Sequence, residues 1–439
     1  MKPTPAQSAQ DRLLLLLIVG ASCLRVFVCF QHNPMDCLAS DMLRHWNNGI
    51  SFPRGGYAGA ADPIVYQIYI SALQHLVGAN RLLIAAASAI LSVLMPWTYY
   101  RAAREFGLAG TAALWVWTLI AWTPSLFTIY HFIMMETLLL VIEGVALWMT
   151  ARYLRKGGAK AFLTVVFFWT LACLTKPTLF PLAAICLLWV LWKKRPALAE
   201  IALAAGLALL MLVPQAVRTK AELGFYAPFG NPWLTRIMLR SGANTMHVAF
   251  HVPARGDRHP AQDEKMQFRS PSCLVRPLEP FSSWTIRRAF QNSSVRVAID
   301  AAHGEQDWKQ SYQQFSGDAD AWLEQWRENI VLFVFSPSWP EFEYPLWDSR
   351  LEYWCRWMWP LLIVVVLAGN LREFLHRRFE LIPVAVTLVT LSFALQNAVL
   401  MEGRYRKPVE PLLLLNLVWL VAAAGLAPVP QSREVRNSP

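Results

Sequence analysis

The chain has 439 residues, 55% of them hydrophobic and 16% charged, with a mean hydropathy of +0.33. Soluble domains carry about 25% charged residues, so this composition points away from a soluble globular fold and toward a polytopic membrane protein. The formal charge of +11 sits mostly in cations clustered between apolar runs. Topology explains such clusters, and no nucleic-acid partner is implied.

A helix needs about 20 apolar residues to cross a bilayer. About ten runs fit, at 13–30, 82–98, 109–125, 137–151, 161–175, 178–192, 199–217, 354–371, 381–398 and 411–427. The expected fold is therefore an all-α polytopic membrane protein, with nine to twelve spans allowed. The first run contains Arg25 and lacks a small-residue cleavage site, so it reads as a retained span and not as a signal peptide. The stretch IVYQIYISALQHLVG (64–78) carries Gln67, Gln74 and His75 and reads as an interfacial helix, not a span.

Orientation follows from the Lys/Arg bias. Even-numbered connections carry RAAR (101–104), RYLRKGGAK (152–160), KKR (193–195) and LREFLHRR (371–378), while odd-numbered ones carry few cations. Both termini are thus expected in the cytoplasm. The organisation reads as a membrane module over 1–217 with a first outer loop at 31–81, an outer segment over 218–352, and C-terminal spans over 353–439. The outer segment holds 15 Lys/Arg against 16 Asp/Glu, so it is no polyanion-binding module. Its Trp284, Trp308 and Trp322 are available to stack on sugars, although core packing is the commoner use of tryptophan. Cys23, Cys29, Cys173 and Cys186 fall inside apolar runs and read as core thiols. Cys37, Cys273 and Cys355 fall outside, and no metal-ligand spacing is present.

The first outer loop begins QHNPMDCLASDMLRHWNNG (31–49). Asp36 follows span one closely, so its carboxylate is expected near the bilayer surface, at the start of an amphipathic helix with Leu38, Met42 and Trp46 on its apolar face. Capping that helix is the plain alternative role. Asp41 projects about 140° away on the helical wheel and is a second candidate. In HFIMMETLLLVIEGVALW (131–148), Glu136 opens span four and Glu143 lies two turns deeper. An ionisable group inside a membrane is a functional candidate by default. For Glu143, an ion pair with Arg25 is the structural alternative.

Cations fall at the same face. Lys176 lies between spans five and six, and Arg218 just beyond span seven. Arg404, Arg406 and Lys407 lie in MEGRYRKPVEP (401–411), between spans nine and ten. These last three break a bias that every other short loop obeys, which calls for a local anionic partner or for contact with lipid headgroups. Carboxylates beside several cations suit a phosphorylated substrate and a hydroxyl proton to be removed.

Taken in order, these pieces resemble the GT-C glycosyltransferases, in particular the bacterial branch related to protein O-mannosyltransferases and to the aminoarabinose transferase of lipid A. The carrying motifs are the acid after span one (PMDCLASDMLRHWNNG), the Pro-aromatic stretch DPIVYQIYISALQHLVG, Glu136 opening span four, LTKPT, a P…R…G turn formed by Pro214, Arg218 and Gly224, and the hairpin EGRYRKPVEP. The resemblance implies an inverting transfer at the periplasmic face of a bacterial inner membrane. The donor would be a polyprenyl-phosphate sugar and the acceptor a hydroxyl of a glycan, lipid or protein. It makes Asp36 the catalytic base and Glu136 the second acid. It turns Arg404, with Lys176 and Arg218, toward the donor phosphate, and leaves Arg406 and Lys407 divided between phosphate and headgroups. Cys37 replaces the second acid that many relatives place after the first, and Asp62 precedes Pro63 where some have Lys. No cofactor is implied, although one carboxylate pair is enough to hold a divalent cation. Two other classes fit less of the pattern. A polymerase or ligase of the O-antigen type works through outer Arg and His, and a lipid-linked glycan flippase has an internal repeat of spans that is not evident here.

Overall fold

The computed structural model describes residues 5–36, 38, 40–53, 62–223, 226–229, 245–251, 269–270, 273–274, 294–300, 330, 333–335, 351, 354–395 and 403–425. Trp284, Trp308 and Trp322 lie outside them. Helices dominate: α1 Pro5–Gln31, α2 Ser40–Ser51, α3 Ile64–Val77, α4 Arg81–Glu105, α5 Gly110–Trp122, α6 Pro124–Thr128, α7 Met135–Lys156, α8 Ala159–Thr175, α9 Phe180–Lys194, α10 Leu198–Leu223, α11 Met358–Leu375, α12 Leu381–Leu395 and α13 Glu410–Ala423. Two small antiparallel pairs lie in the outer segment: β1 (Thr245–His251) on β4 (Ser294–Asp300), and β2 (Arg269–Ser270) on β3 (Cys273–Leu274).

Each apolar run of the sequence coincides with a helix. Among the described residues, six helices (α1, α4, α7, α9 with its preceding turn, α10 and α11) are long and apolar enough to cross a membrane. A seventh span results if α5 and α6, bent by 65°, are taken together. The apolar helices α8, α12 and α13 are shorter, and so is α3, in keeping with its interfacial reading. Leu16, Val19, Leu209 and Leu210 are exposed on the outside of the helices, as expected of side chains that face lipid. Cys29, Cys173 and Cys186 are buried free thiols, whereas Cys23 is exposed on the outer side of α1 and is not a core residue.

The α5–α6 break explains an arginine in the first span. Pro124 has no N–H to continue the ladder of α5, so carbonyls around the bend lose their helical partners. Inside a bilayer such groups must be satisfied by the protein. Arg25, 1% exposed, donates from Nε to the Ala121 carbonyl at 2.8 Å and from Nη2 to that of Ile120 at 2.9 Å. Its Nη1 reaches the carbonyls of Leu126 at 3.3 Å and Ser92 at 2.8 Å. The alternative of an Arg25–Glu143 ion pair is therefore corrected: the bend takes the guanidinium. Glu143 is instead buried beside Tyr99 of α4.

Next to it, Gly144 lets α7 touch α4. A Cβ there would stand 2.0 Å from Thr98 Oγ1 and 2.8 Å from Thr98 Cβ. Gly144→Ala is expected to cost about 1–3 kcal/mol, since neither helix backbone can yield freely; a lowered melting temperature in detergent checks it. At its far end α7 stops at Gly157 and Gly158, whose φ values of 69° and 94° turn the chain as few other residues would.

Candidate active site

The cation-poor ends of the helices carry the candidate residues. Asp36 ends a 3-10 turn, Pro34–Asp36, and α2 starts only at Ser40. Asp41, not Asp36, therefore occupies the first turn of α2. Asp36 is ion-paired with Arg81 at the start of α4, with side chains 25% and 57% exposed. Four residues earlier, His32 lies 5.2 Å, ring to ring, from His131. The neighbourhood of Asp36 thus adjoins the segment that leads into Glu136.

Glu136 lies in the first turn of α7, and Lys176 is the C-cap of α8. Their side chains meet at 2.5 Å, both buried. The Lys176 amine also stands 5.0 Å over the ring of Tyr405, so the last hairpin reaches this pair. Tyr66 and Thr137 lie alongside.

A second cluster gathers around Asp62. Its Oδ2 accepts from Asn48 Nδ2 at 2.9 Å and lies 3.4 Å from both Arg44 Nε and His45 Nδ1. Arg44 also holds Asp41 at 3.2 Å. The Asp62 carbonyl accepts from Gln67 at 3.1 Å and from Gln215 at 3.4 Å. Gln67 Oε1 in turn takes Arg218 Nη2 at 2.7 Å. Arg218 is 8% exposed, stands over the Phe52 ring at 5.3 Å, and has no hydrogen-bond partner for Nε or Nη1 among the described residues. Arg218 and Pro214 lie within α10, not in a turn, and Gly224 is outside the described residues. His45 stands edge-on to Tyr66 at 5.2 Å, which links the two clusters.

The hairpin cations divide. Arg404 lies in the turn Gly403–Arg406, its side chain outside the described residues. Arg406 and Lys407 are fully buried and face an anion of their own chain, Glu410, at 3.0 and 3.4 Å. Glu410 also accepts from Ser125 Oγ at 2.7 Å, and Lys407 donates to the Ser125 carbonyl at the α5–α6 break. Arg406 donates to the carbonyls of Phe333 and, at 3.2 Å, Val334.

The structure thus joins Glu136 with Lys176, ties Arg218 and Asp41 to the Asp62 cluster, and places Asp36 on Arg81, a cation not predicted from sequence. Asp62, His45, Asn48 and Gln215 were not singled out as site residues from sequence. The polar Gln67 inside an apolar stretch was the one signal available. Among the described residues no group of three or more His, Cys, Asp or Glu is placed to hold a metal ion.

Comparison with known families bears on the same residues. A model of the dolichyl-phosphate-mannose-protein mannosyltransferase family matches residues 61–217. The match supports a GT-C glycosyltransferase. Together with the apolar helices it points to a membrane glycosyltransferase, and by its description the matched family draws on a lipid-linked sugar. The matched stretch includes Asp62, Gln67, Glu136, Lys176 and Gln215, stops one residue short of Arg218, and does not include Asp36 or Arg404. No curated protein and no solved structure matches the chain.

Proposed function

We propose that this protein transfers a sugar from a polyprenyl-phosphate donor to an acceptor hydroxyl, with inversion, at the periplasmic face of a bacterial inner membrane. The observation that carries this is Arg218. A buried guanidinium held by one nitrogen, with two more lacking a protein partner among the described residues, suits an anionic ligand. Lys176 and Arg404 add positive potential toward the same phosphate. Arg406 and Lys407 serve Glu410 and the α5–α6 break, and leave the donor to the others.

In this reading the phosphate leaves the anomeric carbon as an anion, stabilised by preorganised cations. The acceptor oxygen attacks from the opposite side and gives its proton to Asp36. Glu136 keeps Lys176 extended toward the site. Replacing Arg218 by Gln removes a charge-assisted contact worth about 1.5–3 kcal/mol. The expected result is donor affinity about 10- to 100-fold weaker, measured with dolichyl-phosphate mannose and protein in lipid nanodiscs. Unchanged affinity would overturn the phosphate assignment.

A further inference from the structure

The cluster around Asp62 holds a second buried group with spare hydrogen-bonding capacity. His45 is 1% exposed, and neither ring nitrogen has a hydrogen-bond partner among the described residues. Its Nδ1 faces the Asp62 carboxylate at 3.4 Å, outside hydrogen-bond geometry but inside ion-pair range. Asp62 is itself fixed: Asn48 holds its carboxylate, and Gln67 and Gln215 hold its carbonyl. A braced carboxylate beside Nδ1 orients the ring and leaves Nε2 to face a ligand. The same Asp62 lies in the field of Arg218. An imidazole and a guanidinium thus meet around one carboxylate, each with nitrogens that lack a hydrogen-bond partner among the described residues. Of the residues in the cluster, Arg44 is exposed and Phe52 partly exposed.

We infer that His45, braced by Asp62, is a second ligand of the donor phosphate and the proton donor to the departing lipid phosphate. This rests on the transferase reading and adds an acid to it. The bond between the anomeric carbon and the phosphate oxygen breaks, with its electron pair passing to the phosphate. The Nε2 proton of the imidazolium moves to a phosphate oxygen, and the lipid leaves as its hydrogen phosphate. The acceptor's proton goes separately to Asp36, which releases it to solvent, and solvent returns one proton to the imidazole, so protons and charge balance over the cycle.

The charged groups around His45 include Arg44 on α2 and Asp62 just before α3, with Tyr66 edge-on to the ring and, through Asp62, Arg218 on α10. Binding of dolichyl-phosphate mannose in nanodiscs is expected to be about tenfold weaker in His45→Gln than in the wild type, while the Arg218-dependent part of the binding persists and reports an intact fold. Asp62→Asn should lose most of the His45 contribution. With turnover, His45→Gln should lower kcat about tenfold. Wild-type affinity and kcat in His45→Gln overturn the inference alone. Absence of donor binding by the wild type overturns the transferase reading beneath it.

Discussion

Glu410→Gln is expected to be the most destabilising single change at the site end of the bundle, by about 3–5 kcal/mol. The carboxylate accepts from Arg406, Lys407 and Ser125, and none of the two cations' surface reaches solvent. Removing its charge leaves two cations in a medium of low dielectric, which costs far more than the pair itself contributes. The damage should spread to the α5–α6 break, because Lys407 also holds the Ser125 carbonyl there. A sharply lower melting temperature and reduced membrane yield would show it. A variant that melts with the wild type would mean that water reaches the triad. Arg155→Ala offers the contrast. Its partner is Glu105, its side chain is 53% exposed, and a loss below about 1 kcal/mol is expected.

That triad also shows what the sequence could and could not disclose. The hairpin cations stood out as violations of the charge bias, and an anionic partner was the expected remedy. Glu410 lies four residues after Arg406 and three after Lys407, the spacing of side chains on one helical face. The partner is therefore legible in the sequence, although the same spacing does not tell an internal anion from a substrate phosphate. The helices were legible for a simple reason: apolar runs in a membrane are set by hydropathy alone. Span lengths are less so, because α8 and α13, at 17 and 14 residues, lie at or below the length that crosses a bilayer and hydropathy alone does not set their ends. Arg25 looked like a mate for Glu143, since a sequence shows charges but not the carbonyls freed by a bend. The Asp62 cluster was hidden differently. It assembles α2, α3 and α10 from segments more than 150 residues apart, and neither His45 nor Asn48 carries a local signal of that meeting.

Asp36→Asn should reduce turnover by about 10²- to 10⁴-fold while leaving donor affinity and fold in place. The fold is expected to survive because the Asp36–Arg81 pair lies at the rim, with Arg81 more than half exposed. Such pairs contribute at most about 1 kcal/mol, and Asn still accepts a hydrogen bond from the guanidinium. What Asn cannot do is take a proton from the attacking hydroxyl. Arg81→Gln separates the two roles. It removes the same ion pair but keeps the carboxylate, so a catalytic Asp36 should remain active in that background, with kcat within a few-fold of wild type. If the carboxylate serves only to hold Arg81, the two variants should instead lose activity together. Equal losses in a side-by-side assay would therefore remove Asp36 from the chemistry. Asp41, tied through Arg44 to the Asp62 cluster, would then be the remaining carboxylate of that loop's helix, and Asp41→Asn the next variant to measure.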